Sequence, residues 1–232
     1  MRVAQVWRYP VKSMQGEQLP ALDISLSRIA FDREWGVRDS ASGEVLTARR
    51  TPRLLHAAAR LDGDGVVITL PDGRQLQEDG EHTDLALSAF VGQPVHLARA
   101  KRDERVEFEA DQARWRSKVG SFNDGAEVHV LTTASLGSWD VRRFRPNLLI
   151  DAGTGAGFPE DDWSSIRIGD VELVVFKRST RCSMTCRSQP GGIDEDPEIL
   201  RSLTRNRRAK LGVYASVRAP GTVCVGDPVE VA

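Results

Sequence analysis

The chain has 232 residues, 40% hydrophobic and 28% charged, with a formal net charge of −1. That length supports one large domain or two small ones, each with its own core, and the composition is globular. The charge balance gives no global field toward nucleic acid or an anionic membrane, no segment approaches the ~18 apolar residues of a spanning helix, and residues 1–10 lack a signal peptide's apolar stretch, so the expectation is a cytoplasmic protein with no nucleic-acid and no membrane partner.

Val3, Val6 and Trp7 predict an opening strand. Residues 22–29 alternate, with Leu22, Ile24 and Leu26 on one side and Asp23, Ser25 and Ser27 on the other, which predicts a half-buried strand as far as Ile29. Asp62-Gly63-Asp64-Gly65 is a hairpin signal ahead of a strand over 66–70, and Pro71-Asp72-Gly73 is the next turn. Thr83 is expected to cap a short helix that Gly92 closes, and a strand over 95–98 follows. The charge-rich stretch 101–123 reads as a junction between two units, 1–100 and 101–232. Beyond it come strands over 128–131 and 144–150, with a helical turn starting at Thr132. The apolar run 171–176 predicts a strand buried on both faces. Asp196 caps a helix with Pro197 at its first position, and an arginine-rich last turn near Arg207 suits the helix dipole. Strands over 211–217, 222–225 and 228–231 close the chain. Many short strands without strand–helix alternation predict a mainly β fold with a few short helices, as barrels or a sandwich.

Few motifs carry chemistry. The glycines at 153, 155 and 157 follow a strand but lead into Phe158-Pro159-Glu160-Asp161-Asp162-Trp163 rather than a helix, so they read as a loop and not a phosphate cradle. Two arginine clusters, 141–146 and 204–210, are each a solvated face or a phosphate site. Cys182 and Cys186 form C-x3-C; Cys224 is the third cysteine. Zinc lacks a second ligand pair, since His56, His82, His96 and His129 are scattered, and the spacing is one longer than a redox C-x-x-C. A bridge between Cys182 and Cys186 would require a turn after Thr185. The remaining readings are a buried structural cysteine or a reactive thiolate: Arg181, Arg178 and Lys177 around Cys182 favour a thiolate, a soft ligand suited to molybdenum, copper or iron.

Arg8-Tyr9-Pro10-Val11-Lys12-Ser13, Phe31-Asp32-Arg33-Glu34-Trp35 and Leu46-Thr47-Ala48-Arg49-Arg50 resemble the N-terminal β-barrel domain that precedes MOSC domains. Leu131-Thr132-Thr133-Ala134-Ser135-Leu136, Arg143-Phe144-Arg145-Pro146-Asn147, Phe158–Trp163, Ile168-Gly169-Asp170-Val171, Arg181-Cys182 and Val225-Gly226-Asp227-Pro228-Val229 resemble, in order, blocks of the MOSC domain itself. The resemblance implies two β-barrel-like units, an N-terminal MOSC-type barrel over 1–100 and a MOSC domain over 101–232. It further implies a molybdenum cofactor, a molybdopterin whose metal is ligated by the catalytic Cys182. The cofactor's phosphate calls for fixed positive charge, which Lys12, Arg33, Arg145 and Arg181 can supply. Ser13, Thr132 and Ser135 offer neutral donors, and Asn147 is placed to hold the pterin edge.

The branch it most resembles reduces N-hydroxylated small molecules with electrons from a separate donor protein of ferredoxin or cytochrome type. In that branch Thr-Thr, an apolar residue and Asp-Pro follow the metal-binding cysteine; here Ser183-Met184-Thr185-Cys186-Arg187-Ser188-Gln189-Pro190 follows, which leaves the substrate class open and lets Cys186 ligate, bridge or pack. A non-redox carrier of the cofactor, or a sulfur-transfer protein using a persulfide on Cys182, is the second reading, and a metal-free binding module the third.

Overall fold

The computed structural model describes residues 1–101, 107–110, 113–116, 120–123, 125–153 and 157–232, with the backbone alone at 107–110 and 113–116. Seventeen strands and three α-helices lie within them: β1 (Arg2–Arg8), β2 (Glu17–Leu19), β3 (Ala21–Ile24), β4 (Trp35–Asp39), β5 (Ala58–Asp62), β6 (Gly65–Thr69), β7 (Gln75–Leu76), α1 (Glu81–Val91), β8 (Val95–Arg99), β9 (Glu107–Ala110), β10 (Ala113–Arg116), β11 (Val128–Thr132), α2 (Thr133–Leu136), β12 (Leu148–Asp151), β13 (Ser165–Ile168), β14 (Val171–Thr180), α3 (Pro197–Arg207), β15 (Lys210–Ala219), β16 (Gly221–Cys224) and β17 (Glu230–Val231). The protein is mainly β. No helix among the described residues is long and apolar enough to cross a membrane.

One eight-stranded sheet dominates, in the order β17-β13-β14-β15-β11-β12-β1-β2. Its pairs are antiparallel except β11 with β12, which run parallel. The remaining strands form smaller sheets: β3 with β16, β4 with β8, β5-β6-β7, and β9 with β10. The expected pair of closed barrels is not found among the described residues. The large sheet ends on β2 and β17, and the run ahead of β17 hydrogen-bonds to β1: Val3 N donates to Asp227 O at 2.9 Å, Gly226 N to Val3 O at 2.8 Å and Val229 N to Met1 O at 3.1 Å. Apolar side chains are instead buried between layers. One core joins Val3, Val6, Leu22 and Ile24 to Val128, Val130, Ile166, Leu173 and Val213. A second joins Val11, Met14, Trp35 and Val37 to Leu54, Ile68, Leu87 and Val95. The segment between β1 and β2 passes from the first core to the second. Trp35 N donates to Pro10 O at 3.0 Å and Lys12 N to Trp35 O at 2.8 Å, which lays Pro10–Lys12 along the start of β4.

Several elements fall where the sequence puts them. Asp62 pairs with Gly65 across a two-residue hairpin, and Gly92 closes α1 in the left-handed conformation at φ +87°. Asp196 caps α3 by accepting from Glu198 N, with Pro197 at its start.

Other expectations are corrected. The strand from 22 ends at Ile24, because Ser25 and Arg28 close a turn (Ser25 N to Arg28 O, 2.9 Å) that leaves Leu26 62% exposed at its tip. Helix α1 starts before Thr83, whose amide donates to Asp79 Oδ1 at 3.1 Å, so Asp79 serves the helix start and Thr83 lies inside it. The strand expected over 144–150 begins only at Leu148: Arg145 has φ +55°, which ends a 3-10 turn and excludes extended backbone. Strand β14 is covered on one face only, and Phe176 is 46% exposed.

Arg208 and Ala209 follow α3 with φ of +53° and +56°, a conformation that costs a residue carrying a Cβ about 1–2 kcal/mol. Ala209→Gly is therefore expected to stabilise the protein by about 0.5–1 kcal/mol, read as a higher urea midpoint at unchanged m; an unchanged or lower midpoint would count against that backbone.

Candidate functional site

Where the two cores meet, a small cleft of about 60 Å3, partly open to solvent, is lined by Lys12, Ser13, Arg33, Asn123, Ala126, His129, Phe144, Arg145, Asn147, Arg181, Met184 and Tyr214. Among the described residues four of the lining side chains are cationic and none is acidic.

Each cation is fixed by backbone. Lys12 Nζ donates to Phe122 O at 2.8 Å. Arg33 pairs with the neighbouring Asp32 and donates to Arg145 O at 3.3 Å, and Arg145 donates to Met14 O. Both guanidiniums pack on one ring: the Arg145 and Arg33 carbons lie 4.2 and 4.8 Å from the centroid of Tyr9. Tyr9 is buried, its hydroxyl donates to Pro146 O at 3.1 Å, and burial raises its pKa well above the ordinary value. Ser13, Arg33 and Arg145 all have positive φ, three of the six such non-glycine residues among those described. Left-handed backbone at a residue with a Cβ persists only where surroundings enforce it, and such residues cluster at functional sites.

Arg181 is the most deeply committed. It donates to Ser179 Oγ at 2.8 Å, to Phe144 O at 2.8 Å and to His129 Nε2 at 3.1 Å. Its Nε is buried with no acceptor among the described residues. An arginine can only donate, so His129 Nε2 accepts, and the ring proton sits on Nδ1, which donates to Arg145 O at 3.2 Å. Burial, then the Arg181 charge, drive the His129 pKa well below 6.5, so the ring is neutral. Gly212 lets β15 pass close by: at φ +76°, a Cβ there would lie 2.8 Å from His129 Nε2 and 2.7 Å from Val130 O.

The sequence-derived residues separate into two places. Lys12, Ser13, Arg33, Arg145, Asn147 and Arg181 meet at the cleft. Asn147 also works as a strut, its Oδ1 accepting from His129 N at 3.1 Å and its Nδ2 donating to Trp7 O at 3.3 Å. Thr132 and Ser135 do not line the cleft. Both hydroxyls donate at 2.7 Å to one carboxylate oxygen of Glu160, which is fully buried, and Thr132 caps α2 by accepting from Ser135 N. Cys182 is half-buried between two lining residues, Arg181 and Met184, and is the N-cap of a 3-10 turn over Ser183–Cys186. No disulfide joins Cys182, Cys186 or Cys224. Of the glycine run, residues 154–156 lie outside the described residues.

Sequence reasoning missed Tyr9, His129, Asn123 and Tyr214 as lining or supporting residues, and it gave Glu160 no role beyond its place in the run Phe158–Trp163. A histidine with no spacing partner gives no signal, because His129 meets Arg181 only through β15, which pairs with β11 on one side and with β14, the strand that leads into Arg181, on the other.

The MOSC domain family matches residues 109–230 and the MOSC N-terminal beta barrel domain matches residues 1–120, and the chain belongs to that family. Mitochondrial amidoxime-reducing component 1 of Homo sapiens is 28% identical, over 98% of this chain and 82% of its own length. Mitochondrial amidoxime reducing component 2 of Bos taurus is 24% identical, over 98% and 82%. Among solved structures, the YUAD protein of Bacillus subtilis aligns over 99% of this chain and 94% of its own with a TM-score of 0.47 at 11% identity.

A neutral buried histidine makes stability depend on pH. His129 gains a proton in the unfolded chain below about 6.5 while the folded ring stays neutral, so its effect is nil above that pH and destabilises progressively below it. From pH 7.5 to 5.5 this amounts to about 1.4 kcal/mol. His129→Gln is expected to show a pH slope in urea unfolding shallower than wild type by about that much; equal slopes would mean that His129 is not held neutral.

Proposed function

We propose that the protein binds a molybdenum cofactor in this cleft and reduces N-hydroxylated small molecules with electrons from a separate carrier protein. One observation carries the proposal: four cationic side chains line a single cleft that no acidic side chain among the described residues lines, and the half-buried Cys182 directly follows one of them, Arg181, in the chain. The donor set suits a phosphate-bearing anion. The guanidiniums offer forked N–H groups, and the buried Nε of Arg181 lacks an acceptor that a bound anion would supply.

In this reading the cleft lies where the 1–100 unit, through Lys12, Ser13 and Arg33, faces the 101–232 unit, through Arg145, Asn147 and Arg181. Lys12, Arg33 and Arg145 would hold the phosphate end, with Ser13 as a neutral donor. Asn147, already fixed by β1 and β11, would face the pterin edge. Cys182 would supply the protein's thiolate ligand to the metal, a soft donor for a soft site. Bound there, the cofactor supplies two-electron redox chemistry and an open coordination position. Two electrons and two protons convert N–OH to N–H and water. Neutral His129 accepts from Arg181 and so holds that guanidinium at the cleft wall without adding charge. The names of the curated relatives support an amidoxime-type substrate, and the substitutions after Cys182 bear on which one.

The test is metal analysis, with fluorescence of the oxidised pterin, on protein freshly purified from a host that makes the cofactor. Wild type is expected to carry about one molybdenum per chain and to reduce an aromatic amidoxime with an artificial reductant. Cys182→Ser is expected to lose the metal or at least about 100-fold in turnover, and Arg145→Ala to lose most of the pterin. Stoichiometric molybdenum with full turnover in Cys182→Ser would remove the assignment. A persulfide adduct on Cys182 by intact mass, without turnover, would favour the sulfur-transfer reading.

A further inference from the structure

The second arginine cluster, Thr204-Arg205-Asn206-Arg207-Arg208-Ala209-Lys210, closes α3 and turns into β15, and its charge is not used by the cleft. Arg205 and Arg208 are exposed. Arg178, on the neighbouring β14, reaches the same place: Arg178 and Arg207 both donate to Asp161 Oδ2, at 3.1 and 2.6 Å, so two guanidiniums share one carboxylate. Among the described residues, the carboxylates paired with Arg178, Arg205 and Arg207 are Asp161 and Glu198, and Glu198 is shared with Arg201. In a chain of net charge −1 this is a local cationic excess.

The strip borders the cleft in two ways. Arg181 N donates to Ala209 O at 2.7 Å, which ties the basic turn to the residue before Cys182. Lys177 Nζ lies 5.4 Å from the ring centroid of Tyr214, a wall of the cleft, and 5.6 Å from that of Phe176. Phe176 is one of five large apolar side chains exposed among the described residues, and the one followed directly by two cations, Lys177 and Arg178. Docking surfaces commonly combine an apolar anchor with a charged rim.

We infer that this strip, anchored by Phe176, is the docking face for an acidic one-electron carrier protein. The inference rests on the proposed function, which requires electrons to reach the cleft, and on a sequence without a ferredoxin-type C-x4-C-x2-C run. Two reduced carriers, each giving up one electron and leaving oxidised, supply the pair that joins two protons to turn N–OH into N–H and water. Complementary charge steers such an encounter and makes it sensitive to salt. The need for electrons at the cleft is what selects a protein carrier over a nucleic acid as the occupant.

The experiment uses the metal-loaded chain with two probes, an acidic [2Fe–2S] ferredoxin kept reduced by its reductase and an acidic soluble haem-domain carrier, with an aromatic amidoxime as acceptor. Reduced methyl viologen serves as the small donor that needs no docking. Binding of each oxidised carrier is measured separately by fluorescence anisotropy, so docking is read even if turnover fails. Arg205→Glu combined with Arg208→Glu is expected to lower carrier-driven kcat/KM and binding at least about tenfold, with viologen-driven turnover kept within about twofold. Phe176→Ser is expected to weaken carrier binding by about threefold to tenfold. Raising the ionic strength from about 0.05 to about 0.3 M is expected to weaken wild-type binding toward that of the charge-reversed variant. Binding of neither carrier, binding indifferent to salt and to both variants, or displacement of a bound carrier by a short single-stranded oligonucleotide that binds more tightly would overturn the docking face. Absence of viologen-driven turnover in wild type would instead sink the reductase reading, while the anisotropy still decides the docking.

Discussion

Like charges held together inside a cleft repel one another, and much of this fold works to keep them there. The Arg33 and Arg145 guanidinium carbons pack on the same Tyr9 ring, so they are no more than about 9 Å apart. At the effective dielectric of a partly buried site, two unit charges at that separation repel by about 2 kcal/mol, and Lys12 and Arg181 add to it. Fixed dipoles offset the repulsion: the carbonyls of Phe122, Met14, Arg145 and Phe144 each accept from one of the four cations. Those carbonyls are aimed by backbone that departs from strand geometry, at Ser13, Arg33 and Arg145. A bound anion would relieve the repulsion further, so a ligand of the right charge would also stabilise the fold by linkage.

His129 shows how narrow that arrangement is. A protonated ring beside Arg181 would add a fifth charge and could no longer accept the guanidinium's proton. Burial keeps it neutral, and the Arg145 carbonyl fixes which nitrogen carries the proton. The same carbonyl also receives Arg33. One backbone oxygen thus links the two halves of the cleft wall, and it belongs to a residue at positive φ.

How much of this was legible in the sequence depended on range. Local signals were reliable: the Asp62–Gly65 hairpin, the Gly92 terminus and the Asp196-Pro197 helix start are each decided within a few residues by φ preference or capping. The cations of the cleft could be named in advance because ordered motif blocks carry them, although Lys12 and Arg181 are far apart along the chain. Strand ends failed where a polar side chain or a left-handed residue broke an apolar alternation that pattern alone would continue, as at Ser25 and Arg145. Barrel closure was not legible because it depends on how the sheet's edges meet, here through single hydrogen bonds between β1 and the run 226–229 ahead of β17 rather than through a paired strand. Glu160 was illegible for a third reason. An acidic run looks solvated unless one knows that Thr132 and Ser135, 28 and 25 residues earlier, turn their hydroxyls onto one of its members.

The pair of cysteines that stands out in the sequence is divided by the structure into unlike roles. Cys182 begins the 3-10 turn, and its carbonyl accepts from Thr185 N at 3.1 Å and Thr185 Oγ1 at 2.9 Å, which pins the backbone and leaves the half-buried thiol beside the cleft residues Arg181 and Met184. Cys186 ends the same turn in the apolar cluster of Leu136, Phe144, Ile199 and Leu203, 8% exposed, and packs there as a small hydrophobe. Its burial seats the turn against α3, the helix whose far end supplies the basic strip. The second cysteine therefore serves the first by position: it anchors the segment that presents Cys182.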